Sequence, residues 1–192
     1  MQSMTTIFRQ LRRRLQRGSR VLLSLNAFVI PVGLHAGDSM NFDTSELIRA
    51  SVIEKIARFI EWPESSRQAP VKLCVLARTS LLPALQHYYS GEIKLDQKPV
   101  ELSLFERLDG IEQCDIIYLD PKQDRQLADI VKQIGDAPVL VITEVQDAVS
   151  QGSHVDFYIE DNRLHLEVNR SRLTSSGFNV SYHLFKVARI VE

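Results

Sequence analysis

The sequence predicts an α/β fold: a single-layer mixed sheet with a parallel centre and a C-terminal antiparallel hairpin, with helices packed on its faces. Short apolar segments of strand length recur at 71–77, 114–120 and 138–143, as is typical of strands buried on both faces. Amphipathic segments of helical period lie between them, and this alternation favours parallel pairing. A hairpin pattern follows at 154–169.

The beginning of the chain has the order of a secretory signal peptide. Six arginines with no acidic residue precede an apolar segment that ends at Ala36. Asn26 and Pro31 interrupt this segment, which is too short for a bilayer span of about 20 apolar residues. We therefore predict a cleaved signal peptide at 1–36 and a single periplasmic domain at 37–192. An uncleaved membrane anchor is the alternative.

Charge and cysteine content narrow the class of protein. Without residues 1–36 the chain has 17 basic and 24 acidic residues, a formal net charge of −7. Such an acidic domain has no basic patch to follow a phosphate backbone, so nucleic-acid binding is not expected. Cys74 and Cys114 are the only cysteines. In an oxidising compartment an even pair predicts a disulfide, and two buried free thiols are the alternative.

Residues 43–63 predict one amphipathic helix that covers the sheet. Asp43 and Glu46 have the spacing of a capping box, and Pro63 stops the helix just after Trp62. Ile48 belongs to the apolar stripe in this pattern, together with Val52, Ile56, Phe59 and Ile60. The polar residues expected outside that stripe are Arg49, Glu54 and Arg58.

The remaining elements follow from local patterns. We predict a helix at 80–89 with Pro83 in its first turn, an alternating strand at 98–105, and a helix at 121–134 closed by Gly135. A polar turn is expected at 170–177. A second core-facing helix is expected at 179–191, because Val180, Leu184, Ala188 and Val191 share one side of it.

The hairpin predicts its own register. A two-residue turn at Asp161-Asn162 pairs Glu160 with Arg163 and, further along, Ile159 with Leu164, Phe157 with Leu166 and Val155 with Val168. The opposite face then collects polar residues, above all His154, Asp156, His165 and Glu167, with Tyr158 and Asn169. We expect a solvated outer face. Because Asp156 opposes Glu167, a bound metal or a protonated histidine is the alternative, and the latter would make the face pH-responsive.

Candidate interaction residues lie along the first helix. Trp62 is the only tryptophan and has Arg58 one turn before it. Arg49 and Glu61 complete a candidate partner- or ligand-binding set, although a tryptophan at a helix end is more often buried in the core. No nucleophile elbow, zinc-protease, P-loop or dinucleotide-binding motif is present in the sequence, so we expect neither an enzyme nor a cofactor.

Two patterns near the ends of the domain occur in a fixed order. The first helix opens on a basic residue and Ala and closes on Phe-x-Glu-Trp-Pro, at Arg49, Ala50, Phe59, Glu61, Trp62 and Pro63. The tail has an Asn after a strand, then a Gly, then Ser-x-x-Leu ending in Ala, at Asn169, Gly177, Ser181, Leu184 and Ala188. Together with Cys114 and Gly152 before apolar strands, these patterns resemble the YfiR/HmsC-like family.

The resemblance implies a periplasmic, commonly homodimeric protein without known catalysis. Such proteins repress an inner-membrane GGDEF diguanylate cyclase by binding its periplasmic region, which lowers cyclic-di-GMP and biofilm formation. An OmpA-like outer-membrane lipoprotein can sequester them. This sequence departs from the family at Lys55 and Ile56, where relatives have Asn-Phe, and it lacks a second cysteine pair near the hairpin. The alternative function is a small-molecule-binding periplasmic sensor domain.

Overall fold

A computed structural model describes residues 43–64, 69–145, 147–161 and 163–192. The predicted signal peptide at 1–36 and Asn162 of the predicted hairpin turn lie outside these residues. The helices of the described chain are Thr44–Ala57 (α1), Leu82–Tyr89 (α2), Asp124–Ile134 (α3), Arg170–Ser175 (α4) and Tyr182–Val187 (α5), with 3-10 turns at Ile111–Gln113, Pro121–Gln123 and Ala148–Gln151. The strands are Ile60–Glu61 (β1), Val71–Leu76 (β2), Lys94–Leu95 (β3), Lys98–Phe105 (β4), Ile116–Leu119 (β5), Leu140–Thr143 (β6), Val155–Glu160 (β7), Arg163–Asn169 (β8), Asn179–Val180 (β9) and Arg189–Val191 (β10).

Most of these strands form one mixed sheet, in the order β10-β8-β7-β6-β5-β2-β4-β3. The central strands β4, β2, β5, β6 and β7 are parallel. The antiparallel pairs β7-β8 and β3-β4 flank them, and β10 runs parallel to β8 at the edge. The strands β1 and β9 form a separate antiparallel pair. The predicted fold class is confirmed.

Alternate residues of the central strands divide between two apolar cores. One core contains Leu73, Tyr118 and Phe157 and is covered by α1, α2 and α5. The other contains Ile117 and Val141 and is covered by α3. Because successive side chains of a strand point to opposite faces, the cores lie on the two sides of the sheet. In the part of the chain that is described, no helix is long and apolar enough to cross a bilayer.

The capping of α1 is as predicted. The Asp43 carboxylate accepts a hydrogen bond from the Glu46 backbone N–H at 2.9 Å, and the Glu46 carboxylate accepts one from the Asp43 N–H at 3.2 Å. The predicted division into core and solvent sides is wrong at Ile48, which is 51% exposed, and at Glu54, which is 5% exposed. Glu54 is buried because α2 packs against α1, where the Tyr88 hydroxyl donates to Glu54 at 3.5 Å.

The predicted end of the first helix is wrong. The helix stops at Ala57, and Ile60 and Glu61 are extended. They pair with Val180 and Asn179, which the sequence pattern placed in a helix. Backbone pairing with a distant segment competes with helix propagation here, and a β-branched residue such as Ile60 favours the extended state.

The C-terminal segment differs most from the prediction. The expected polar turn at 170–177 contains the helix α4, because the Asn169 side chain caps it by accepting from the Arg172 N–H at 2.8 Å. The expected helix at 179–191 is limited to α5. Its two ends are the strands β9 and β10, of which β10 pairs with β8 through Arg189 opposite Glu167. A periodic pattern of apolar residues cannot reveal such long-range pairing.

The hairpin register is confirmed in every predicted pair, from Glu160 opposite Arg163 to Val155 opposite Val168. Asp161 has a φ of 48°, as an Asp in a tight hairpin turn can adopt. Phe157 and Val168 are buried, while Ile159 and Leu164 near the tip are 49% and 46% exposed. The apolar side of the hairpin is therefore core at its base and surface at its tip.

Candidate functional site

The corner after α1 joins two segments that are far apart in the sequence. Ile60 pairs with Val180, and the carbonyl of Phe59 accepts a hydrogen bond from the Ser181 N–H at 2.8 Å. Asn179 donates from its side chain to the Glu61 carboxylate at 2.8 Å, across a separation of 118 residues. The two sequence patterns that carry the family resemblance thus meet at one place, which we call the Trp62 corner: residues 59–63 and 177–183.

Trp62 forms the inner side of the Trp62 corner. It is 9% exposed, and its ring meets that of Phe178 edge to face at a centroid distance of 5.4 Å. Phe178 in turn meets the His154 ring edge to face at 5.4 Å. Buried aromatic pairs in this arrangement stabilise a fold beyond the area they bury. Trp62 is therefore a core residue and is not exposed as an anchor for a partner.

A close contact explains the glycine of the tail pattern. Gly177 has a φ of +75°, a conformation that side chains with a Cβ rarely adopt. A Cβ at this position would also lie 3.2 Å from the Cγ of Pro63. A residue with a side chain at position 177 would therefore strain the backbone and crowd Pro63. This steric match links the proline of the first pattern to the glycine of the second.

The outer side of the Trp62 corner is exposed and polar with one large aromatic ring. Tyr182, the first residue of α5, is 69% exposed. The Lys186 ammonium lies 4.8 Å from the centroid of its ring. Glu61 and Asn179, which are hydrogen-bonded to each other, are also exposed. Tyrosine is a residue type that is enriched at protein interfaces. Here it is exposed, with a cation over its ring.

The other residues of the tail pattern have structural roles. Asn169 caps α4 and also donates from its side chain to the Val149 carbonyl at 2.8 Å. Ser181 caps α5 by accepting from the His183 N–H at 3.3 Å, and Leu184 is completely buried. Ala188 ends α5 in an extended conformation. The pattern therefore describes how the C-terminal segment folds back onto the sheet.

The predicted binding residues of the first helix do not form one site with Trp62. Arg58 donates to Glu54 and, at 3.2 Å, to the carbonyl of Lys94, the first residue of β3. Lys94 pairs with β4 at the edge of the large sheet, whereas the corner is formed by the separate pair of β1 and β9. Of the predicted set, only Glu61 and Trp62 belong to the Trp62 corner.

Arg49 takes part in a separate, buried network. It donates from Nε to the Glu144 carboxylate at 2.7 Å, and the Tyr118 hydroxyl donates to the other oxygen of the same carboxylate. Burial raises the pKa of Glu144, although Arg49 and Tyr118 both favour its charged form. The network ties α1 to the ends of β5 and β6. Arg49 was predicted outside the apolar stripe of the helix, facing solvent. The sequence pattern does not indicate Tyr118 or Glu144 as its partners.

The polar face of the hairpin is not the solvated surface that we expected. His154, Asp156 and Glu167 are buried. The Asp156 carboxylate accepts from the Ser153 hydroxyl at 2.5 Å, the Val149 N–H at 2.6 Å and the Thr143 hydroxyl. Burial raises its pKa against these hydrogen bonds. The expectation was wrong because the 3-10 turn Ala148–Gln151 packs on this face and supplies the Val149 N–H.

Arg189 supplies the cation beside the Asp156 and Glu167 pair. Its guanidinium lies 2.6 Å from the Glu167 carboxylate. Arg189 is in β10, directly opposite Glu167. The sequence pattern predicted a helix for this segment, so it did not indicate Arg189 as the partner of Glu167. Across the described residues, no group of three or more His, Cys, Asp or Glu is arranged to hold a metal ion.

The two histidines of this face differ. His154 is completely buried, its Nδ1 accepts from the Val141 N–H at 3.0 Å, and its Nε2 lies 3.0 Å from the Ser176 hydroxyl. Burial, with a contribution from Arg172, lowers the pKa of His154 to about 3, so the ring is neutral at physiological pH. His165 is half-buried and stacks on Tyr158 at a centroid distance of 5.1 Å.

The predicted disulfide is present. Cys74 in β2 is bonded to Cys114, two residues before β5, with the Cα atoms 6.0 Å apart. The strands are neighbours in the sheet, so the geometric condition for the bond is met. Both cysteines lie in the core covered by α3. The bond closes a loop with a separation of 40 residues.

Comparisons with known proteins agree with this arrangement. A family model described as YfiR/HmsC-like matches residues 46–189, which include both sequence patterns of the Trp62 corner. The crystal structure of a conserved domain protein from Vibrio cholerae O1 biovar El Tor has a TM-score of 0.54 and 10% sequence identity to this chain. The match covers 77% of this chain and 60% of the length of that protein. At this identity the likeness concerns the fold alone.

Proposed function

This chain belongs to the YfiR/HmsC-like family, and on that premise we propose that it is a negative regulator of an inner-membrane diguanylate cyclase. In this proposal it binds the periplasmic region of a GGDEF cyclase and represses it, which lowers cyclic-di-GMP and biofilm formation. The observation that supports the proposal is the Trp62 corner, where Glu61-Trp62-Pro63 and Gly177 to Ser181 assemble into one structure. The action is binding and not catalysis.

We propose the outer side of the Trp62 corner as the surface that contacts the cyclase. Trp62 and Phe178 hold it rigid from below, so little conformational freedom is lost on binding. Tyr182 supplies a large exposed ring with Lys186 over it, and Glu61 and Asn179 are further exposed polar residues of the corner. An aromatic residue within a polar rim is the usual composition of a protein-binding hot spot.

The proposal includes a location and further partners. The protein acts in the periplasm as a homodimer, and an OmpA-like lipoprotein of the outer membrane sequesters it from the cyclase. The apolar tip of the hairpin, Ile159 and Leu164, is a candidate dimer surface because both residues are about half exposed on the same side of the sheet. The molar mass of the purified protein from light scattering measures this part of the proposal directly.

The test is complementation of a strain that lacks the gene. Deletion is expected to raise cellular cyclic-di-GMP, and the wild-type chain to restore the low level. Tyr182→Ala is expected not to restore it, although the exported protein accumulates and melts like the wild type. The wild type, but not this variant, is expected to co-purify with the membrane cyclase.

Leu104→Ala is the matched control, because Leu104 is also a large exposed side chain, at 47%, but lies on β4 at the other end of the sheet. It should repress like the wild type. Unchanged cyclic-di-GMP after deletion would contradict the function itself. Full repression by Tyr182→Ala would contradict only the assigned surface.

A further inference from the structure

The order of the parallel strands reverses between β2 and β5. From β2 the chain moves to β4 on one side, then returns past β2 to β5 and continues outward through β6 and β7. In open parallel sheets, the two connections at such a reversal leave the sheet on opposite faces. A crevice therefore opens outside the carboxyl ends of the strands, and small ligands bind there in many α/β proteins.

A crevice is present at this place. It has a volume of about 740 Å³, within the range of small-molecule sites. It is lined by Leu76 to Arg78 after β2, by Phe105 to Leu108 at the end of β4, and by residues of the segment after β5. A cavity at the amino ends of the strands, next to Pro70 and Pro138, is smaller at 430 Å³.

The walls of the crevice are fixed by a buried carboxylate. Asp120 is fully buried and follows β5. It accepts from the Ser80 N–H at 3.0 Å and from the Lys122 N–H at 2.9 Å, so it joins the connection after β2 to the connection after β5. Gln123, also buried, accepts from the Asp120 N–H at 3.3 Å. The site is therefore formed before any ligand arrives.

Positive charge is concentrated in the lining. Arg78, Arg107 and Lys122 contribute three cations, and Glu106 contributes one acid. Arg107 lies 2.8 Å from Asp109, but both side chains are more than three-quarters exposed, at 82% and 78%. Such an exposed ion pair is weak and exchanges readily for another anion. The whole chain has one more acidic than basic residue, so the excess of positive charge at the crevice is local. It favours the binding of a negatively charged ligand.

A further feature limits what kind of anion fits. Leu76, Phe105 and Leu108 supply an apolar surface beside the cations of the lining. A bare inorganic ion would leave this surface without a partner.

We propose that this crevice binds a small organic anion: a carboxylate or phosphate group on a compact apolar body. Arg78 and Lys122 attract the anionic group, and Leu76 and Phe105 contact the body. This assigns a place to the ligand-sensing alternative that the sequence leaves open. Binding here is independent of the cyclase partner, because the Trp62 corner is formed by other elements.

The test is a titration of the purified protein followed by ¹⁵N NMR. The probes are benzoate, its neutral isostere benzamide, phenyl phosphate and inorganic phosphate. We expect saturable shifts of the backbone resonances of residues 76–78, 105–108 and 122–126 with benzoate or phenyl phosphate, and which of the two binds more tightly identifies the anionic group. The amide and inorganic phosphate are expected to bind at least about tenfold more weakly, because each lacks either the charge or the body.

Arg78→Gln/Lys122→Gln is expected to weaken binding of the better anion at least about tenfold, since both charge-assisted contacts are removed. Lys55→Gln/Arg163→Gln removes the same charge from exposed positions on α1 and β8 and should leave the affinity unchanged. Equal binding of the benzamide, or equal affinity of the crevice variant, would overturn the proposal. So would the absence of shifts at the crevice with both organic anions. These results do not depend on whether the cyclase is bound.

Discussion

The Trp62 corner and the crevice at the carboxyl ends of the strands use their side chains in opposite ways. In the corner, Trp62, Gly177 and Asn179 each contact a partner from the distant end of the chain. In the crevice, the side chains of Arg78 and Lys122 are exposed. The first region uses its specific residues to hold its shape, whereas the second has polar groups still available to a ligand.

The two regions show that the residues that identify the family and the residues placed to bind a ligand are different. The residues that identify the family lie where the backbone imposes strict conditions, such as a positive φ at Gly177 next to Pro63. The residues best placed to bind a small ligand belong to no recognised pattern. A mutation of an inner residue of the corner, such as Trp62, should therefore act first on stability. A mutation of Arg78 or Lys122 in the crevice should act on binding without a change in stability.

The largest effect is expected for Trp62→Ala. Removing this nearly buried indole takes away one of the two ring partners of Phe178, the other being His154, and large-to-small changes of this kind cost about 3–5 kcal/mol. Urea denaturation of the purified variant, compared with the wild type, measures the free energy of unfolding. Repression should fall in the same variant because less folded protein is present.

Tyr182→Ala is the matched control within the corner, because Tyr182 is 69% exposed and its loss should change the free energy of unfolding by less than about 0.5 kcal/mol. If Trp62→Ala folded with wild-type stability, the corner would not be held together by its aromatic residues. The contrast between the two regions would then fail.

A smaller effect is expected from acid, through His154. Its pKa of about 3 in the folded protein is below the ordinary value of 6.5, so the unfolded chain binds the proton first as pH falls. The stability from neutral His154 is present above about pH 6.5 and is lost as pH decreases toward 3. Between about pH 7 and about pH 5 this should lower the free energy of unfolding by about 2 kcal/mol.

Two carboxyl groups act in the opposite direction. Burial raises the pKa of both Asp156 and Glu144, so their protonation favours the folded state in more acidic solution. Chemical denaturation across this pH range isolates the histidine when the wild type is compared with His154→Asn. That variant keeps an acceptor for the Val141 N–H but has no group that titrates there. An identical pH slope in both proteins would show that His154 does not control it.

Much of the architecture could be predicted from local patterns. The capping box at Asp43 and the hairpin register depend on residues close in sequence, and both are confirmed. The end of α1 depends on Asn179 and Val180, more than a hundred residues later, and it was predicted wrongly. Local periodicity contains no information on such pairing, because it describes one segment at a time.

The candidate sites were harder to predict for the same reason. Glu167 looks solvent-facing as long as Arg189 is placed in a helix, but in the fold β10 pairs with β8 and brings Arg189 opposite it. Asp156 is buried by contacts with Thr143, Val149 and Ser153, which precede the hairpin. The crevice requires the strand order, since Arg78 and Lys122 follow different strands and meet only where that order reverses. A sequence that predicts parallel strands does not state which strands are neighbours.

The smallest effect on stability is expected for Arg78→Gln/Lys122→Gln. Both side chains are exposed, and in a chain with a net acidic character their removal should change the free energy of unfolding by less than about 0.5 kcal/mol. The Lys122 backbone N–H still donates to Asp120, so the wall of the crevice is preserved. Urea denaturation beside Trp62→Ala provides the comparison. A loss similar to that of Trp62→Ala would mean that these cations hold the fold, and the crevice would then resemble the corner in using its residues for shape.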